Sequence, residues 1–180
     1  MKLASLAPLF LLLAPLSLNA QTPKPAADPM PMKAPVPPSK SVNVTFQGRV
    51  TIFTVEDLLK LPQVTVRVHN AHRNTDESYT GPLLADVLAR AGLSPAHENE
   101  ALILHSSIVA TGTDHYFVLY SVAEVEPTFS TGQVIVAVMK SGLPDTEGGI
   151  IQLINTADAK PARWLHGLAD LNVMSVTPGK

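Results

Sequence analysis

Two histidines three residues apart, His69 and His72, stand in the stretch "VHNAHRNTDE", with Arg67, Asn70 and Arg73 around them. Imidazoles at this spacing suit two roles, ligation of a metal ion or the lining of a pocket, and a third reading is the solvated end of a hairpin. Two histidines do not complete a tetrahedral zinc site, so a metal needs a further ligand from Asp76, Glu77, His105 or His115. "TDHYF" offers a second group. Asp114 can accept a hydrogen bond, His115 offers an imidazole and Tyr116 carries a phenol; the alternative is a plain turn between strands. "KPARW" offers a third. Arg163 can clamp a carboxylate or phosphate and Trp164 presents a flat apolar face; alternatively Trp164 plugs a core and Arg163 pairs with Asp170 or Glu147.

Other chemistries have little support. No Gly-x-Ser-x-Gly elbow is present, and Gly148-Gly149 is an isolated pair rather than a phosphate-binding loop. The chain contains no cysteine, which removes disulfides, thiolate nucleophiles and thiolate ligands. Met30 and Met32 would suit copper(I), but their setting reads as plain linker. The formal charge is −2, and this near-neutral balance argues against nucleic acid and anionic membrane surfaces as partners.

The elements that must position these residues occupy only part of the chain. Met1–Ala20 reads as a secretory signal peptide: Lys2 is the positive start, Leu9–Leu13 the apolar centre and Ala20 the small residue at the cut. The run is too short to span a bilayer and is broken by Pro8 and Pro15, so an exported protein without a membrane anchor is expected, periplasmic or secreted. Residues 21–41 hold seven prolines and no aromatic residue, as expected of an extended spacer. One folded domain is expected over 42–180.

Within it, Val42, Val44 and Phe46 alternate as a strand and "VTIFT" follows as a second. Thr54 with Asp57 three residues on predicts a capped helix that stops before Pro62. Val64, Val66 and Val68 predict a strand, residues 70–77 a polar loop, and "ESYTG" the returning strand. A helix from Pro82 carries Leu84, Val87, Leu88 and Ala91 on one face and ends at Gly92. "ALILHSSIVATGT" and "YFVLYSV" read as strands around a turn at Gly112–Asp114, Ser121 as the cap of one helical turn, and "QVIVAVMK", "IIQLIN" and "LNVMSV" as strands. The fold class is α+β, with mixed, mostly antiparallel sheets and a few short helices.

The ordered set "TVEDLLKLPQVTVRV", "YTGPLLADVLARAGL", "DHYFVLYSVAEVEPTF", "QVIVAVMKSGLPDTEGGIIQLI" and "KPARWLHGLADLNVMSV" resembles the molybdopterin-binding domain of the sulfite oxidase family, over about Phe53 to Val176. It is most similar to small exported bacterial members that carry this domain alone. The resemblance implies an oxidoreductase holding molybdenum on a pterin, with a cysteine ligand at the end of the strand matching "VTVRVHN", around Val68 and His69. It also implies a cofactor pocket near His69, Asn70, His72, Asp114, His115, Tyr116, Arg163 and Trp164. This chain departs from the pattern. The cysteine is absent, Asp114-His115-Tyr116 replaces Asp-Gly-Tyr, and the Gly-Pro and arginine usual near Gly148, Gly149 and Gln152 are missing. The expectation is therefore a non-catalytic module for a small anionic ligand or a periplasmic protein partner, with no cofactor. The alternatives are a molybdopterin oxidoreductase without cysteine ligation, needing a redox partner, and a histidine metal site.

Overall fold

The computed structural model describes residues 36–94 and 99–176. The expected signal peptide, most of the proline-rich spacer, and Met30 and Met32 lie outside the described residues. The spacer was expected to run to Ser41, but its last residues already belong to the folded unit. Ser39 is buried, its N–H and hydroxyl both donate to the Gly149 carbonyl, and its hydroxyl accepts from the Ile151 N–H. The Thr113 hydroxyl donates to the Pro37 carbonyl. This serine side chain satisfies two buried backbone groups more than a hundred positions away and so ties the segment to the fold.

Five strands form the larger sheet: β1 (Ser41–Phe46), β2 (Arg49–Thr54), β5 (Ser106–Gly112), β6 (Phe117–Ser121) and β10 (Leu168–Ser175), in the order β2-β1-β10-β5-β6. Only β1 and β10 run parallel; the other pairs are antiparallel. Alternation decides the faces. Val42, Val44, Phe53, Ile108, Ala110, Leu171 and Val173 point to one side, where α2 (Leu84–Arg90) adds Leu84, Val87 and Leu88 to the same core. A second sheet system is made of β3 (Val64–Asn70), β4 (Thr75–Gly81), β7 (Val134–Ala137), β8 (Met139–Lys140) and β9 (Gln152–Asn155). β3 and β8 flank β4, β7 pairs with β9, and the two groups join where the Val136 N–H donates to the Pro82 carbonyl and that of Val138 to Thr80. All four residues of β7 and of β9 are buried. Val134 and Val136 face the large core, while Ile135 and Ala137 face a smaller one with Val66, Tyr79, Ile154 and Trp164. The fold is thus α+β with mostly antiparallel sheets.

Local chemistry explains the short helices. At α1 (Val55–Leu59) the Thr54 hydroxyl accepts from the Asp57 N–H while the Asp57 carboxylate accepts from the Thr54 N–H. Ser121 and Glu124 repeat this reciprocal cap at α4 (Val122–Val125). Several expectations are corrected. α2 begins at Leu84 rather than Pro82, because Pro82 and Leu83 are drawn into pairing with β7. Residues 101–104, expected as strand, belong to α3 (Glu100–Leu104); a short apolar run rich in Ala and Leu does not reveal its period. "QVIVAVMK" breaks at Val138 into β7 and β8, and β9 starts at Gln152 because Ile150 bends back with φ 70°. Half of the expected loop over 70–77 is strand, with only residues 71–74 outside β3 and β4.

Gly81 marks the closest approach between the halves of the second sheet. A Cβ there would lie 2.0 Å from the Val136 carbonyl oxygen and 2.7 Å from the Ala137 Cα, both backbone atoms that cannot swing aside. Gly81→Ala is expected to lower stability by about 2–3 kcal/mol, read as a drop in the urea midpoint with an unchanged slope.

Candidate functional site

The β3–β4 hairpin sets Arg67 opposite Ser78, Val68 opposite Glu77 and His69 opposite Asp76. Since neighbours along a strand face opposite ways, Arg67, His69, Asp76 and Ser78 share the outer face, while Val66, Asn70, Glu77 and Tyr79 share the inner one. On the outer face His69 Nδ1 lies 2.8 Å from Asp76 Oδ1, and both side chains are solvent-exposed. A cleft of about 470 Å³ is bordered by Arg67, Val68, His69, Asp76, Glu77, Ser78 and Ser141. Ser141 follows β8, holds φ 53°, and donates its N–H to the Ser78 carbonyl at 2.8 Å.

Beneath the cleft Glu77 is buried, a costly place for a carboxylate unless it is fully partnered. It accepts from Asn70 Nδ2 at 2.9 Å, the Tyr79 hydroxyl at 2.8 Å and Lys140 Nζ at 2.8 Å. Desolvation alone would raise its pKa, but the bonds from Lys140, Asn70 and Tyr79 together outweigh it and leave the value below the ordinary 4.5. Tyr79 moves the other way: burial, then the hydrogen bond to Glu77, push its phenol well above the usual range. Lys140 also lies 4.0 Å from Asp145 and 5.4 Å from the centre of the Tyr79 ring. Asp145 Oδ1 accepts the N–H groups of Glu147 and Gly148, and its Oδ2 accepts from Gln152 Nε2.

The expected site residues fall into three groups. His69 lines the cleft. Asn70 instead holds the hairpin turn, its Oδ1 accepting from the backbone of His72 and Arg73. His72 is exposed on that turn and does not border the cleft. Asp114, His115 and Tyr116 form the β5–β6 turn: Asp114 Oδ1 accepts the Tyr116 N–H, His115 holds φ 63°, and the Tyr116 hydroxyl donates to the Ala162 carbonyl. Arg163 and Trp164 follow on the 3-10 turn Pro161–Arg163. Arg163 pairs with Glu124 at 2.7 Å and with Asp158, not with Asp170 or Glu147, and lies 4.7 Å from the centre of the Tyr120 ring. Its bond to Asp158 leads the causes that raise its pKa further. Trp164 is buried in the smaller core, donates Nε1–H to the Asn155 carbonyl at 3.0 Å and meets Tyr79 edge-on at 6.1 Å. Arg67, Arg73 and Arg163 do not converge on the cleft; of the three only Arg67 borders it. Among the described residues no three His, Asp or Glu side chains are grouped to hold a metal ion.

Sequence reasoning had weighed Glu77 only as a metal ligand and had passed over Tyr79 and Lys140. The signal was present: Glu77, Tyr79 and Gly81 share the parity of a buried face, and a charge at a core position calls for a partner.

No protein-family model matches the chain, and no curated protein matches it. Among solved structures it is similar to the crystal structure of the sulfane dehydrogenase SoxCD from Paracoccus pantotrophus, with a TM-score of 0.57 and 17% identity. The match covers 76% of this chain and spans only 39% of that one. At this identity the likeness is one of fold.

Because the folded Glu77 carboxyl titrates below its ordinary value, it stabilises the protein at pH above about 4.5, and the contribution is lost as pH falls through the lowered folded value. Glu77→Gln is therefore expected to cost about 1–3 kcal/mol at pH 7, with the gap from the parent protein narrowing below pH 4.5. Denaturant unfolding of both proteins across pH 3–7 checks this.

Proposed function

We propose that this chain is an exported protein built on the fold of molybdopterin oxidoreductases, and that it binds a small anion in the hairpin cleft instead of carrying a molybdenum pterin. Two supports for its origin are independent: the order of sequence segments that resembles the sulfite oxidase family, and the fold likeness to a sulfane dehydrogenase. Export rests on the pattern of Met1–Ala20.

The observation that carries the reading is the state of the cations. A phosphate-bearing pterin requires several convergent positive groups and, in this family's pattern, a thiolate. Here Arg163 is held by Glu124 and Asp158, and Lys140 by Glu77 with Asp145 nearby. By the resemblance, the thiolate would fall around Val68 and His69, and neither is a soft sulfur ligand. Gln152 Oε1 and Asp158 Oδ2 are the buried side-chain polar atoms without a partner among the described residues, and both are acceptors, which call for a donor rather than another anion. The donor set does not fit molybdopterin. What it offers is Arg67, with no ion-pair partner among the described residues, beside His69 and the hydroxyls of Ser78 and Ser141. Such a set suits a small oxyanion or carboxylate, held by one guanidinium and hydrogen bonds. Asp76 on the rim and Glu77 beneath it weigh against a highly charged ligand.

The test uses the protein expressed from its full sequence in a molybdenum-replete host. Metal analysis and pterin fluorescence are expected to be negative. Titration with sulfate or acetate at fixed ionic strength is expected to move the NMR signals of Arg67, Ser78 and Ser141 saturably, and Arg67→Ala should weaken binding about tenfold. Stoichiometric molybdenum with a pterin signal would overturn the reading and restore oxidoreductase chemistry.

A further inference from the structure

The larger sheet ends in β2 on one side and β6 on the other, and the two edges differ. Next to β6, the hydroxyls of Tyr116 and Tyr120 hold the carbonyls of Ala162 and Arg163, which ties the Pro161–Arg163 turn to that edge. β2 pairs with β1 along its whole length, from Ser41 opposite Thr54 to Phe46 opposite Arg49, and no strand lies on its other side among the described residues. Natural edge strands are usually blocked by proline, inward charges or a bulge. "RVTIFT" has no proline, its single charge stands at the first position, and its Val50 and Ile52 are 57% and 61% exposed.

A cleft of about 550 Å³ is bordered by Thr51, Ile52 and Phe53, and across from them by Asp57, Lys60, Leu61 and Arg90. Thr51, Ile52 and Phe53 are consecutive residues of the outermost strand, so the cleft lies against β2 itself. A separate, smaller cleft of about 270 Å³ lies at the other end of β2, between Gln47, Arg49 and Ala91–Gly92. The wall therefore carries Arg49, Lys60 and Arg90, against which Asp57 is the one carboxylate on the cleft linings, and it is already bonded to Lys60 at 3.1 Å. Arg49 and Arg90 have no ion-pair partner among the described residues.

From this we propose that β2 is a docking edge for an extended, acidic peptide segment of a partner protein, which adds as a sixth strand. Main-chain hydrogen bonds to the free edge supply affinity. Alternate side chains supply specificity, apolar ones against the exposed Val50 and Ile52 on one face and acidic ones toward Arg90 and Arg49 on the other. This site is separate from the hairpin cleft and stands whether or not that cleft binds an anion.

The experiment uses the full chain and two fluorescent hexapeptides, alternating Glu-Val and alternating Lys-Val. Fluorescence anisotropy should show saturable binding of the Glu-Val peptide and none of the Lys-Val peptide. Arg90→Glu should weaken the first by about tenfold. Arg90→Ala should give a smaller loss, which confirms that a merely unfolded variant is not being read. Hydrogen exchange must show new protection on peptide addition at the alternate amides of Arg49–Thr54 that do not bond β1. Charge-dependent binding without that protection, protection elsewhere, or no binding would each overturn the proposal. So would protection, in the free protein, of the alternate β2 amides that face away from β1, since that would mean another part of the chain or a second copy covers the edge.

Discussion

Burial of β7 and β9 on both faces is the constraint on which the second half of the molecule depends. A strand with two covered faces must be apolar at every position, and "VIVA" and the central residues of "QLIN" meet that demand. One set of their side chains completes the large core and the other builds the small core around Tyr79 and Trp164. The hairpin that carries the candidate site is joined to this wall through backbone bonds from Val136 and Val138, and it comes close only because Gly81 has no side chain. The position of Arg67, His69 and Ser78 is thus inherited from the packing of residues some sixty positions further on.

The same packing fixes the electrostatics. Tyr79 reaches the small core with its ring and Glu77 with its hydroxyl, so the phenol links the apolar packing to the buried carboxylate. Lys140 arrives on β8, directly opposite Tyr79, and completes the set. A buried ion pair of this kind adds little net stability compared with an apolar replacement, but losing one partner is costly. It also removes Lys140 from any role toward a ligand. Arg163 is removed in the same way by Glu124 and Asp158 on the other side of Trp164.

The strands with clear alternation, the Thr54–Asp57 cap and the mixed sheet class were legible in the sequence, because each rests on interactions between close neighbours. The extent of the hairpin was not. Residues 70–77 are polar, and a polar exposed strand resembles a loop when only composition is read; the pairing of His69 with Asp76 becomes visible once the register is known. α3 was missed because "ALIL" serves either period. Of the proposed site residues, the separation of His72, Asp114–Tyr116 and Arg163–Trp164 from the cleft depends on how the two sheets lie, which no local pattern encodes.

The placement of Ser39 bears on how such a domain ends its linker. Its hydroxyl and N–H both meet Gly149, where φ is 78° and a Cβ would lie 2.6 Å from the Gly167 Cα. Gly167, also at positive φ, would place a Cβ 2.9 Å from the Pro37 carbonyl. Two glycines without side chains thus open the groove into which the proline-rich segment's end is laid, and Thr113 closes it from the β5–β6 turn by bonding Pro37. The turn that carries Asp114 and His115 therefore holds the incoming chain by its first residue. That is a structural task carried by Thr113, two residues before His115 with its positive φ.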